Sequence, residues 1–322
     1  MEGGGVTKFL RGICFVLSIG LFLPNYSFAD CISDNQSKSA EYCNFNLAKI
    51  RELAEKGDKE AQFRLGLKYE KGEDLPKNDN EAVKWYEKAS NQGNLDARHN
   101  LAMKYRDGEG VNKDLKKAFE LGKSAAEMGQ SHSQNRLGVD YLEGVIVSKN
   151  IDESLKWFKK SANNDFSDAK LNLGKFHEYG WGGKVNYLEA FNWYVKAADS
   201  NNAESQYAIC LMYKKGLGIN KSNNDAYQWC KKAALNGHIL AMNRTGAFEY
   251  SANPKSAENY KNAIYWWKKA SDMGNVDSEY FLGLAYEALG NKVEANKWFV
   301  LAAKHGQKAA VKKLKFTNSS IE

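Results

Sequence analysis

The chain has 322 residues, with 46 Lys and Arg against 39 Asp and Glu for a net charge of +7, and is 43% hydrophobic and 12% aromatic. That excess is modest and its basic residues are interleaved with acidic ones, which excludes a basic stripe for nucleic acid. Past the first thirty or so residues no run is long and apolar enough to span a bilayer.

The first element is a secretory signal over 1–29. Lys8 and Arg11 give a positive start, Ile13 to Leu23 is apolar, and Ser27-Phe28-Ala29 is a small-x-small cleavage site. The mature chain then begins at Asp30. An uncleaved N-terminal anchor is the alternative. Residues 30–56 follow as an N-terminal tail and capping helix. Leu53, Ala54 and Gly57 stand one period before Ala89, Ser90 and Gly93, so this helix reads as a half-unit.

The period itself is 36 residues. A glycine or a stand-in recurs at Gly66, Ala102, Gly138, Gly174, Cys210, Gly246 and Gly283. Three residues on come Tyr69, Tyr105, Tyr141, His177, Tyr213, Glu249 and Tyr286. A second segment carries Ala82, Ala118, Ser154, Ala190, Ala226, Ala263 and Ala295. Three residues after these stand Trp85, Leu121, Trp157, Trp193, Trp229, Trp266 and Trp298, read here as core between hairpins. A closing glycine follows at Gly93, Gly129, Gly237, Gly274 and Gly306, with Asp165 and Asn201 in the other two places.

Within a unit the spacing is helical. Ala61, Leu65 and Tyr69 share one stripe, and Ala82, Tyr86 and Ala89 share another. Gly72 and Pro76 break the chain between them, and Gly93 sits where a helix-terminating glycine belongs. Each unit is therefore helix A, a loop and helix B. Short side chains at Gly66 and Ala82 let two backbones approach. The units predicted are 57–93, 94–129, 130–165, 166–201, 202–237, 238–274 and 275–306. Residues 307–322 form a C-terminal capping helix and tail. A fixed period of this length predicts an all-α, right-handed αα-superhelical solenoid of about seven helix-turn-helix repeats with half-repeat caps.

The pattern A-x3-L-G-x2-Y-x2-G…A-x2-W-Y-x2-A-x3-G from Ala61 to Gly93 resembles the Sel-1-like repeat, a relative of the tetratricopeptide repeat with a longer glycine-bearing loop. Gly108-Glu109-Gly110-Val111 and Gly216-Leu217-Gly218-Ile219 match that loop. The sixth unit departs, with Glu249 for Tyr and Ala252 for the loop glycine, and the seventh has a shortened loop. The resemblance implies a binding scaffold of the exported bacterial type, acting in envelope assembly, signalling or host interaction.

Four cysteines remain in the mature chain: Cys31, Cys43, Cys210 and Cys230. An even count in an exported chain invites disulfides. Cys210 stands in the glycine column of helix A and Cys230 follows Trp229 on helix B of the same hairpin, where a bridge is sterically reasonable. Bacterial members of the similar family also bridge the two helices of a hairpin. Cys31 would then pair with Cys43. Two buried free thiols at Cys210 and Cys230 are the alternative.

The search for chemistry returns no catalytic, cofactor-binding or metal-binding candidates. The histidines His99, His132, His177, His238 and His305 include no i, i+4 pair. Gly180-Trp181-Gly182-Gly183 falls in an A–B loop and reads as turn chemistry. Function is sought instead on the concave side, which helix A lines in related folds. In that frame Phe63, Leu67, Met103, Val139, Leu171, Lys175, Leu211 and Leu284 are exposed lining positions. Asn135 and Asn243 are candidates to bond a peptide backbone, while Arg106, Lys214 and Lys215 are candidates to meet its carboxylates. Tyr179, Tyr207 and Tyr250 are candidate anchors, and His99 lies beside them in the groove frame.

The reading is a non-catalytic adaptor, periplasmic or secreted and monomeric, that holds a protein or peptide in its groove. A cell-wall enzyme or β-lactam binder and an ER-lumenal adaptor are the alternatives. Asn35-Gln36-Ser37 and Asn220-Lys221-Ser222 would be the glycan sites of the latter.

Overall fold

The computed structural model of the chain describes residues 46–252 and 256–319, with side chains through Leu314. The expected signal segment, and Cys31 and Cys43 with their expected pairing, lie outside the described residues. The described residues form sixteen helices and no strand.

A lone helix α1 (Leu47–Glu55) precedes seven hairpins. The hairpins are α2 (Lys59–Lys71) with α3 (Asp79–Asn91), α4 (Leu95–Asp107) with α5 (Leu115–Glu127), and α6 (Ser131–Glu143) with α7 (Ile151–Asn163). Next come α8 (Ser167–Tyr179) with α9 (Tyr187–Ala198), α10 (Ala203–Lys215) with α11 (Asn223–Leu235), and α12 (Ile239–Tyr250) with α13 (Ala257–Asp272). The last hairpin is α14 (Val276–Ala288) with α15 (Lys292–Lys304), and a lone α16 (Lys308–Ser319) follows. Each helix packs mainly on its neighbours in the chain, so the fold is an αα-solenoid.

Local sequence sets the boundaries. Asn78, Asp114, Asn150, Asn186 and Ser222 each accept a backbone N–H three residues on and so cap a B helix. The chain leaves helix B through a left-handed residue. Asp165 and Asn201, which replace the closing glycine, take that conformation at φ 63° and 59°. Aspartate and asparagine tolerate it better than other side chains.

Inside a hairpin the glycine column meets a ring. A Cβ on Gly66 would lie 2.6 Å from the ring of Tyr86, and one on Gly138 2.6 Å from Phe158. Gly174 faces Tyr194, Gly246 faces Trp267 and Gly283 faces Phe299 in the same way. The glycine is there to seat an aromatic side chain from helix B, and not only to bring two backbones together. Tyr86, Phe158 and Tyr194 are fully buried. The ring sits one residue past the tryptophan column. Of that column Trp157 and Trp266 are buried, while Trp85, Trp193, Trp229 and Trp298 are half-buried. Lysines lie over several of these rings, with Lys88 Nζ 3.9 Å from Trp85 and Lys196 Nζ 4.1 Å from Trp193. These tryptophans roof the core at its outer edge instead of filling it.

Two hairpins answer the packing problem differently. In the fifth, Cys210 and Cys230 are joined by a disulfide with a Cα–Cα distance of 5.2 Å, and both are fully buried. In the second, Ala102 faces Gly122 and there is no ring.

Neighbouring hairpins are tied through their A helices. The residue that caps one A helix donates to a carboxylate in the first turn of the A helix before it. Asn94 donates to Glu60 at 3.1 Å, Gln130 to Asp96 at 3.1 Å, Asn202 to Asp168 at 3.0 Å and Gln307 to Asp277 at 3.2 Å. His238 joins the series: its Nδ1 accepts from Ala241 N, which leaves Nε2–H for Glu204 at 3.1 Å. At the fourth hairpin Phe166 makes no cap bond, and its ring lies 4.4 Å from that of His132 instead. These bonds link successive A helices directly.

The glycine-bearing loops lock the same junctions. Gly110, at φ 72°, passes so close to Asp79 of the preceding hairpin that a Cβ would lie 2.3 Å from its carbonyl oxygen. Gly218 does the same over Tyr187. Beside Gly110 the buried Lys104 ammonium reaches Asp79, Glu70 and Glu109 at 2.7, 2.8 and 2.8 Å. Burial alone would lower the pKa of Lys104, but these three carboxylates outweigh it and raise it.

Candidate functional site

Most of the polar residues assigned to the groove are engaged within the chain. Arg106 donates through Nη1 and Nη2 to both oxygens of Asp140, at 3.0 and 2.8 Å. Arg136 donates through Nε to the same carboxylate at 3.0 Å. Asp140 is only 4% exposed, so this triad belongs to the junction of the second and third hairpins. His99 Nδ1 lies 2.9 Å from Ser133 Oγ across the same junction. Burial, with the nearby charges of His132, Arg106 and Arg136, pushes its imidazole down to about 4.

The asparagines behave alike. Asn135 accepts from Asn172 at 2.9 Å, and Asn243 donates to Asn275 and Ser278 at 2.9 and 2.8 Å. Each joins one A helix to the next. Tyr207 lies against the His238 ring at 4.3 Å, and Tyr250 packs on Tyr260 and Trp267 at 5.3 and 5.6 Å. Lys214 lies 4.8 Å over the Phe248 ring, and burial lowers its pKa. Phe63 and Leu171, expected as exposed lining, are buried at 7% and 9%. They face the neighbouring hairpin and join its core, because the helix A position three before the glycine points along the stack instead of into the groove.

What stays open is the middle of the inner layer. Tyr179, at the end of α8, is 58% exposed, with its ring 5.3 Å from that of Trp181. Lys215 at the end of α10 is exposed. Lys175, one turn before Tyr179, is half-buried with its Nζ 3.6 Å from Glu204. Burial and the nearby charges of Glu178 and Glu204 push the Tyr179 hydroxyl up. Among the described residues no group of three or more His, Cys, Asp or Glu is placed to hold a metal ion. Among them, too, no helix is long and apolar enough to cross a membrane.

Sequence reasoning missed two features of this layer. The cap-to-carboxylate series was visible as an Asn, Gln or His standing 34 residues after an acid, at Glu60–Asn94, Asp96–Gln130, Asp168–Asn202 and Glu204–His238. The Arg106–Asp140–Arg136 triad carried no comparable signal, since its members occur once.

The Sel1 repeat matches seven successive stretches, 59–94, 95–130, 131–166, 167–202, 203–238, 239–275 and 276–307. The chain belongs to the Sel1-repeat family. Two solved Sel1-type structures are similar to it. One is a protective antigen of uropathogenic Escherichia coli with an SLR fold, 29% identical with a TM-score of 0.71, matched over 83% of this chain. The present chain spans 58% of that antigen's length. The other is a Sel1 repeat protein of Oxalobacter formigenes, 26% identical with a TM-score of 0.64, matched over 90% of this chain and 84% of its own. A search of the curated proteins found no match. Sel1 repeats form a scaffold fold typical of protein–protein interaction.

Proposed function

We propose that this Sel1-repeat protein is a non-catalytic adaptor that holds an extended protein segment along its A-helix layer, with the contact centred on Tyr179, Lys175 and Lys215. The observation that carries the reading is Tyr179, an aromatic left 58% exposed on an A helix, where most other candidate groups except Lys215 are engaged within the chain. Aromatic and basic anchors dominate the energetics of such contacts.

The test is capture of envelope proteins by the mature chain carrying Tyr179→Ala, Lys175→Glu and Lys215→Glu together. Loss of the captured partner with an unchanged helical CD spectrum is the expected result. Capture equal to that of the unaltered protein overturns this placement.

The adaptor is exported. The signal-like start, the buried Cys210–Cys230 bridge and the antigenic role of the E. coli relative all favour an oxidising, extracytoplasmic setting. Fractionation of cells producing the full chain checks this, and recovery of a reduced protein in the cytoplasm counts against it.

A further inference from the structure

Successive hairpins present their A–B loops along one edge of the solenoid, and the composition of those loops changes along it. The first loop carries Glu73 and Asp74, and the second carries Glu109 and Asp114. The third, fourth and fifth loops, residues 144–150, 180–186 and 216–222, contain no acid, and each contains one lysine: Lys149, Lys184 and Lys221. These lysines are exposed, and among the described residues none is held in an ion pair. The acids nearest the row lie outside the loops. Before them, Glu143 is 3.6 Å from Arg136 Nη2, and Glu178 accepts from the Tyr194 hydroxyl. After them, Asp152, Glu153, Glu189 and Asp225 stand in the first turns of α7, α9 and α11, with Glu153 bonded to Lys156 and to Trp157 Nε1.

The same edge exposes apolar side chains. Val145 is 75% exposed and Leu188 56%, and Val185 and Tyr187 are exposed in the same stretch as Leu188. The first hairpin has Lys77, Asp79 and Asn80 where the fourth has Val185, Tyr187 and Leu188. The fold therefore accepts polar residues at these positions, and packing does not account for the apolar ones. The fourth loop is also a free tip. Gly110 and Gly218 press onto the hairpin before them, whereas a Cβ on Gly182 would meet the Phe176 ring of its own hairpin at 2.8 Å. A Cβ on Gly183 would meet nothing within 4 Å. Contiguous exposed apolar groups rimmed by charge mark an interaction surface.

We propose that this edge docks the protein on an anionic lipid surface. Val185, Tyr187 and Leu188 enter the headgroup region, and Lys149, Lys184 and Lys221 meet the lipid phosphates. Such a boundary takes apolar and aromatic groups out of water while each ammonium stays against a phosphate. Lysines without an acid beside them in the loop are free to add their attraction to an anionic leaflet. Three protruding tips in a row touch a flat, fluid surface without needing a complementary pocket. The contact is peripheral and leaves the A-helix face uncovered, so the proposal is independent of the adaptor reading.

The experiment uses the chain as recovered from producing cells and two probes: vesicles of phosphatidylcholine alone, and vesicles in which a third of the lipid is phosphatidylglycerol. Sedimentation with the vesicles reads the affinity, and CD checks that each variant keeps its helices. The apolar run Ile13 to Leu23 is common to every variant and creates no difference between them. The unaltered chain should bind the anionic vesicles roughly tenfold more tightly, and high salt should remove that preference. Lys149→Glu/Lys184→Glu/Lys221→Glu should bring the two vesicles to within about twofold of each other. Val185→Asp/Leu188→Asp should weaken binding to the anionic vesicles by about tenfold. Val293→Asp/Val300→Asp, at two exposed valines of the seventh hairpin, should leave it unchanged. Equal binding of the unaltered chain to both vesicles overturns the proposal. So does a loss in the Val293/Val300 variant as large as that in the Val185/Leu188 variant. Binding to neither vesicle, with a dimer in analytical ultracentrifugation that Val185→Asp/Leu188→Asp breaks, overturns it too and assigns the edge to contact between copies of the chain.

Discussion

The second and third hairpins are adjacent and built on one plan, yet they place bulk in opposite ways. In the third, Gly138 leaves room and Phe158 fills it; in the second, Ala102 takes some of the room and Gly122 leaves the rest open. The fifth closes the same crossing with a covalent bond. The comparison separates what the solenoid requires from what it tolerates. Contact between A and B is required, but one hairpin in the interior of a long stack can be held by its neighbours and give up its own filling.

The largest contrast comes from removing the ring. Phe158→Ala should cost about 3–5 kcal/mol, because a fully buried side chain is lost and the glycine opposite cannot collapse into the space. Urea denaturation measures this, and a cost below about 1 kcal/mol would mean that the hairpins do not depend on their rings. Next, Cys210→Ala/Cys230→Ala should lose roughly 3 kcal/mol, as expected for a bridge across a separation of 20 residues. Mass spectrometry of the non-reduced protein should find no free thiol at either position.

A pH-dependent effect follows at the second and third hairpins. Above pH 6.5 His99 is neutral folded and unfolded, and its contribution is complete. As pH falls from 6.5 towards 4, the unfolded chain binds a proton that the folded chain refuses, so stability declines through that window. The loss should approach roughly 2–3 kcal/mol at its lower end. His99→Gln should flatten the dependence between pH 6.5 and 4.5, and an unchanged slope would show that His99 does not cause it. The smallest effect belongs to Gly122→Ala. Its new methyl meets only ordinary contact and it replaces a helical glycine, so stability should rise by up to about 1 kcal/mol. The same change at Gly138 should be destabilising, because the Phe158 ring lies where the methyl would go.

The fold was legible because packing repeats. Each hairpin faces the same steric problem, so Gly66, Ala82 and Gly93 return in register and fix the helices and their order. The ring column was harder to read, since Tyr86, Gly122, Phe158, Tyr194, Cys230, Trp267 and Phe299 share no residue type. The signal lay in the pairing with the opposite column, small against large and cysteine against cysteine. The tryptophans drew attention by uniformity, although four of them lie at the edge. The inner face was misjudged for a related reason. Arg106, Asn135 and Asn243 look free on one helix, and only the next hairpin reveals that their partners are Asp140, Asn172 and Ser278. A partner one period away in sequence is hidden when each unit is read against the average unit.

The docking of Gly110 over Asp79, with Lys104 gathered beneath it, has a bearing on modularity. Seven similar hairpins suggest parts that can be shuffled. Yet the first hairpin presents Asp79 and Glu70 to a loop and a lysine that only the second supplies, and the fourth presents Tyr187 to a glycine that only the fifth places there. Exchanging the second and third hairpins would put Ile146 where Gly110 must pass and Asp140 where Lys104 must sit. The units share a blueprint, but each is cut to one neighbour, and the array has a single workable order.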